Sequence, residues 1–343
     1  MKAFSRRQVF FFIFTLAATS FCAAQNYTVT DLGALSSNGY SVAQSVNSTG
    51  EVTGASGNDS TNRSDIFIYS KGTMTSLGTL GGTSGIGLGI NASGQIAGYS
   101  QNSSNTYRAF LASDGKLTDI GDLGGGSAVA YGINDVGQVV GSAVTSDGSN
   151  HPFLYSGGQM IDLGTLGSNG NAWWNAAAGI NNAGVVVGIS YNAQGNFFGF
   201  IWNNGKMTKI GTLGGPWSAA SAINNKNQIT GQAYTSPKSG RLAHAFISTG
   251  AGKLTDLGTI AGSNSTTWGL SINDSGVVVG RSTFSNTYHA FVYSVGKMKD
   301  LNKLIPAGSG WTLIEADSIN NAGQIAGLGM HNGQQRAFLL TPH

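Results

Sequence analysis

The chain contains two glutamates, Glu51 and Glu315, and the second stands two residues from an aspartate, Asp317. Side chains two apart on an extended strand share a face. A carboxyl pair so placed is what glycosidic-bond hydrolysis uses, one group as acid and the other as base or nucleophile. If that strand lines a channel, burial and mutual repulsion raise the pKa of one member. Glu315 and Asp317 are therefore the candidate catalytic residues. No partner base is marked beside them, and the chain as a whole reads as a non-enzyme.

A second set of side chains points to binding. Tyr40, Trp174, Trp217, Trp268 and Trp311 recur in connectors that separate apolar runs. Nearby loops are rich in Asn, Ser and Thr, such as Gln101-Asn102-Ser103-Ser104-Asn105. Rings beside amide and hydroxyl groups suit a neutral polar ligand such as a glycan, because a ring stacks on the apolar face of a sugar while amides bind its hydroxyls. These five are the candidate ligand-binding residues. The competing reading makes them wedges in a core.

The remaining chemistry-bearing types are periodic, which speaks for structure. His151, His244 and His289 occupy equivalent places in successive repeats, and Arg or Phe replaces them elsewhere, so no metal site is expected. Asp31, Asp119, Asp162, Asp256 and Asp300 also recur, each preceding an apolar residue, and are expected to bond nearby backbone amides. Phosphate loops, nucleophile elbows and calcium loops are absent, and no cofactor is expected.

Residues 1–24 read as an export signal. Lys2, Arg6 and Arg7 precede an apolar run from Val9 to Phe21, and small residues lead to a cut before Gln25. Cleavage removes three of the 18 basic residues and none of the 15 acidic ones, which balances the charge. Nucleic acid then loses its electrostatic footprint. The single cysteine, Cys22, leaves with the signal, and with it any disulfide, thiolate metal ligand or thiol nucleophile. No membrane span is expected after cleavage.

What must position these side chains is a repeat. Asn47, Asn91, Asn134, Asn181, Asn224, Asn273 and Asn320 stand 43 to 49 residues apart, each at the same place in a four-run unit. The first run ends in an apolar residue and asparagine; the second reads like Gly137-Gln138-Val139-Val140-Gly141. A third centres on Phe67, Phe110, Phe153, Phe200, Phe246, Phe291 or Phe338, and the fourth resembles Met160-Ile161-Asp162-Leu163-Gly164. Short β-branched runs punctuated by Gly and Asn are strands. The Asn-x-x-Gly turns suit a type I turn closed by a residue at positive φ, and Asn227 replaces glycine in one copy.

Four antiparallel strands per repeat form the blade of a β-propeller. The seventh copy lacks a fourth run, and an orphan one, Tyr27 to Gly33, opens the mature chain. Pairing them hides both edges. The expected fold is all-β: one seven-bladed propeller over residues 25–343, its last blade closed by the N-terminal strand.

The runs Leu242-Ala243-His244-Ala245-Phe246, Tyr288-His289-Ala290-Phe291 and Thr73 to Gly82 resemble the extracellular HAF repeat of bacterial exported proteins. The resemblance covers the mature chain, with Asp65, Arg108, Phe198 and Arg336 departing from the histidine and Pro152 and Gly199 from the alanine. It implies an exported repeat protein and carries no activity. Some relatives bear a carboxy-terminal sorting tail; the end at Thr341-Pro342-His343 makes free secretion or periplasmic residence the expectation. The expected function is a monomeric binding protein that recognises an extracellular glycan or a cell-surface protein. The alternatives are a polysaccharide hydrolase or lyase on a propeller scaffold, and a structural envelope or matrix protein.

Overall fold

A computed structural model describes residues 26–58, 60, 63–167, 174–236, 242–262 and 264–343. The export-signal expectation, 1–24, lies outside the described residues. The strands pair in antiparallel groups of four, giving five four-stranded sheets and one of eight. The eight-stranded sheet is two such groups, 40–78 and 81–119, joined by a single parallel bridge from Ser64 to Ser84. Residues 124–162 show the common plan, with strands Gly124–Ile133, Val139–Thr145, Asn150–Ser156 and Gln159–Asp162 in sequence order. The strand Tyr27–Asp31 pairs antiparallel with Gln334–Pro342, from Tyr27 opposite Pro342 to Asp31 opposite Phe338. Tyr27 is buried there, and burial pushes its phenol up to about 12.

Two features of the repeat explain its motif. Each group's first strand carries a bulge before its last residues, leaving Gln44, Leu88, Tyr131, Ala178, Ser221, Leu270 and Asp317 without a ladder partner. The bulge pushes a carbonyl against the second strand, and glycine is the residue that admits it. A Cβ on Gly141 would stand 2.0 Å from the Val129 oxygen and 2.7 Å from the Phe153 ring. The repeat phenylalanine packs opposite this glycine, wholly buried, in each group.

The turn asparagines tie the groups to one another. Each Nδ2 donates to the backbone oxygen of the next copy's asparagine, at 2.8–3.2 Å, and Asn320 donates back to Asn47. Asn134 also donates to Gln138 Oε1 at 2.8 Å and accepts from the Gln138 N–H at 2.9 Å, so its buried carboxamide is well satisfied. Glu51 takes the glutamine's place in the first copy, and the bond from Asn47 holds its carboxyl below the ordinary value. The fourth and sixth copies have Val185 and Val277 there, whose side chains accept nothing; Asn227 of the fifth copy supplies its Oδ1 to Asn181 of the fourth at 2.8 Å. Asn227 sits at φ +59°, as expected for the glycine replacement, and its side chain gives a second reason for the exchange.

Candidate functional site

The loops at the end of the sheets away from the asparagine turns come from two kinds of segment. One leads from a fourth strand to the next first strand; the other joins second and third strands. Isolated bridges such as Leu80–Asn102, Leu123–Thr145 and Leu166–Asn192 lay them side by side. The loop asparagines largely close their own turns: Asn102 Oδ1 accepts from the Ser104 and Thr106 N–H groups, and Asn192 Oδ1 from those of Gln194 and Asn196. Fewer of their side-chain oxygens are left for a ligand than the composition implies.

The five aromatic candidates belong to five different groups and do not converge. Tyr40 borders a pocket of about 320 Å³ lined by Asn38, Gly39, Gln334, Gln335 and Arg336. Trp174 is the most exposed aromatic among the described residues, at 68 %. Trp217 is half-buried between Phe197 and Tyr234, with ring centroids 4.7 and 5.3 Å away, and its Nε1 reaches Asn196 Oδ1 at 3.5 Å. Trp311 stacks flat on His331 at 4.6 Å and packs against the core. Trp268 meets Tyr288 edge-on, and the Arg281 guanidinium lies 4.8 and 4.9 Å from the two ring centroids.

Arg281 also links the aromatic set to the acid pair. Its Nη1 donates to Glu315 Oε2 at 3.0 Å. Asp317 falls in the seventh first-strand bulge, so the simple two-residue alternation expected of the pair is broken. Asp317 lines a channel cavity of about 190 Å³ together with the other bulge residues, while Glu315 meets Arg281 on the neighbouring sheet. Asp317 Oδ2 has neither a hydrogen-bond partner nor accessible surface, and Arg281 Nε is in the same position. Burial, and then the Glu315 charge, push the Asp317 carboxyl well above the ordinary range, against the opposing pull of Arg281. Glu315 and Asp317 thus sit in unlike environments, one ion-paired and one unpartnered.

The histidines and periodic aspartates form cross-links inside each sheet. His151, His244 and His289 bond Asp162, Asp256 and Asp300 through Nδ1 at 2.8–2.9 Å, and Arg108 bonds Asp119 at 2.8 Å. Each aspartate also accepts a backbone N–H two residues on, as from Gly121, Gly164 and Gly258. Where Phe198 replaces the histidine, Lys209 replaces the aspartate and lies 4.1 Å over the ring. The first copy reverses the polarity, with Ser76 donating to Asp65 at 2.9 Å. Arg336 departs from all of these: Asp31 is bonded instead by His331 Nδ1 at 2.7 Å, and Arg336 donates to the Gly39 and Gln335 carbonyls and to Gln334 Oε1.

Arg281 and Arg336 are the residues that motif reasoning passes over. A signal for Arg281 exists in the sequence: the other copies carry Ala55, Tyr99, Ser142, Ile189, Gln232 and Leu328 at its position, none of them charged.

No family model matches this sequence, and no curated protein matches it. Among solved structures, the chain is similar to the acylaminoacyl peptidase of Pyrococcus horikoshii, at 11% identity and TM-score 0.55 over 91% of this chain and 53% of that one. A puromycin-hydrolyzing peptidase of Mycobacterium tuberculosis gives 12% identity and TM-score 0.50, over 88% and 49%. TolB from Acinetobacter baumannii gives 14% identity and TM-score 0.48, over 85% and 63%. The chain spans 49% to 63% of the length of these proteins, and identities this low speak to fold alone. The fold is a β-propeller of sequence repeats.

Proposed function

We propose that this chain is an exported, non-enzymatic propeller of HAF-type repeats that binds an extracellular carbohydrate through its loop-bearing face. In this reading residues 25–343 are one monomeric domain of seven blades, closed by the N-terminal strand. The seven-membered asparagine chain and the pairing of Tyr27–Asp31 with Gln334–Pro342 support the ring. Secretion or periplasmic residence accords with the fact that no helix among the described residues is long and apolar enough to cross a membrane.

The observation that carries the binding reading is the pocket beside Tyr40. Its volume of about 320 Å³ suits a small ligand, and its walls are amide, phenol and guanidinium groups that match sugar hydroxyls. Trp174, Trp217 and Trp268 lie at the same end of other sheets and offer rings for a longer chain. Calorimetric titration with a panel of soluble oligosaccharides tests this directly. Saturable binding that Tyr40→Ala weakens, with thermal unfolding unchanged, is the expected result; no binding across the panel would sink the reading.

A polysaccharide hydrolase or lyase built on Glu315 and Asp317 is the second reading, favoured by the unpartnered Asp317 carboxyl. The cavity beside Asp317, about 190 Å³, gives a polymer little room, which supports binding over cleavage. Release of reducing ends from any polymer in the panel, abolished by Asp317→Asn, would reverse that preference.

A further inference from the structure

We infer that the Tyr40 pocket takes a sugar bearing an oxyanion, a carboxylate or sulfate, and that Arg336 is its anchor. The inference rests on the carbohydrate reading above and adds the charge of the ligand. Arg336 occupies the repeat position whose charge is neutralised within its own sheet in the second, third, fifth and sixth copies, by Asp119, Asp162, Asp256 and Asp300. Its own counterpart, Asp31, is committed elsewhere: His331 bonds one carboxylate oxygen and the Gly33 N–H the other.

The Arg336 side chain therefore turns to neutral acceptors, the Gly39 and Gln335 carbonyls and the Gln334 amide oxygen. No carboxylate among the described residues lies within ion-pair distance of it, although the residue is only 8 % exposed. Buried cations are ordinarily paired, because a low-dielectric site magnifies an uncompensated charge. This cation lines the pocket, and the other lining residues, Asn38, Gly39, Tyr40, Gln334 and Gln335, bring no negative charge that would repel an anion. A carboxylate or sulfate entering there would supply the missing counter-charge through charge-assisted hydrogen bonds, which the planar guanidinium suits. Tyr40 and the amides would then hold the neighbouring hydroxyls.

The test titrates the full mature protein with four probes: a galacturonic acid oligomer, the same oligomer after carboxyl reduction, a sulfated galactan oligomer, and inorganic sulfate. An acidic oligomer should bind at least about tenfold more tightly than the reduced one, as expected for one charge-assisted pair. That preference should shrink as salt rises. Arg336→Gln should cost the acidic oligomer at least about tenfold more affinity than it costs the neutral one. Should that variant fail to fold, the salt dependence of the wild-type preference decides alone. Whichever acidic oligomer is preferred tells carboxylate from sulfate. Equal binding of acidic and reduced oligomers would overturn the inference and leave the carbohydrate reading standing. Inorganic sulfate binding with no oligomer bound would keep the anion site and sink the carbohydrate reading.

Discussion

The two ends of the channel are made from the same repeat and use it differently. At the asparagine-turn end all seven copies keep the asparagine, its link to the next copy, and the bond that closes its own turn. Two copies lose the glutamine, at Val185 and Val277, and at Val185 the next copy compensates through Asn227. The next residue along adds a second tier there. Backbone N–H groups of Ala92, Asp135, Asn182, Asn225 and Asp274 each donate to the side-chain oxygen of the following copy. Burial works to raise the Asp274 carboxyl, but bonds from Asn225 and Asn321 and the charge of Lys226 hold it below its ordinary value. At the loop end, the third-to-fourth-strand link is His–Asp, Arg–Asp, Ser–Asp or Lys–Phe, and at Arg336 it is abandoned. An end at which every copy keeps the same asparagine and the same links is constrained by folding. An end at which departures accumulate has room for ligand chemistry.

The comparison can be broken most directly at the asparagines. Asn134→Ala removes three side-chain hydrogen bonds, including the one that the Gln138 N–H donates, so a loss of about 3 kcal/mol is expected in urea unfolding. A loss below about 1 kcal/mol would mean that the turn end does not hold the sheets together. Gly141→Ala should follow at about 2 kcal/mol, since its Cβ must displace the Val129 carbonyl or the Phe153 ring. An unchanged urea midpoint would show that the bulge yields easily.

Asp317 sharpens the comparison from inside the channel. Its raised pKa means the folded state holds the proton more tightly than the unfolded chain. Stability from that group is full below the ordinary carboxylate range and falls as pH rises towards the raised value. Asp317→Asn should therefore gain about 1 kcal/mol at neutral pH and nothing near about pH 3, read from unfolding at both. The same gain at both pH values would place the effect elsewhere. Trp174→Ala, at the loop end, should change stability by less than about 0.5 kcal/mol because the ring is largely exposed. A larger loss would make Trp174 part of the scaffold.

Much of this fold is legible in the sequence because its determinants are local. The Asn-x-x-Gly turn needs positive φ at its last residue, and Gly137 has it at +81°. The periodic aspartates need only a backbone N–H two residues away, and they find it. The acid pair was half legible. Spacing places Glu315 and Asp317 on one strand, but the bulge that recurs in every first strand adds one residue and redirects the second acid. The aromatic set reads as one class by position, yet Trp311 is stacked on His331 and Trp174 is open to solvent.

The sequence by itself determined the repeat, its four strands and the turn chemistry, since hydrophobic period and backbone preference act over a few residues. Only the tertiary structure decided which charges are left over. Arg336 looks like Arg108 in the repeat pattern, with an aspartate assigned to each. That His331 takes Asp31 and leaves Arg336 beside Tyr40 depends on strands some 300 residues apart in sequence, brought together by the pairing of Tyr27–Asp31 with the last strand.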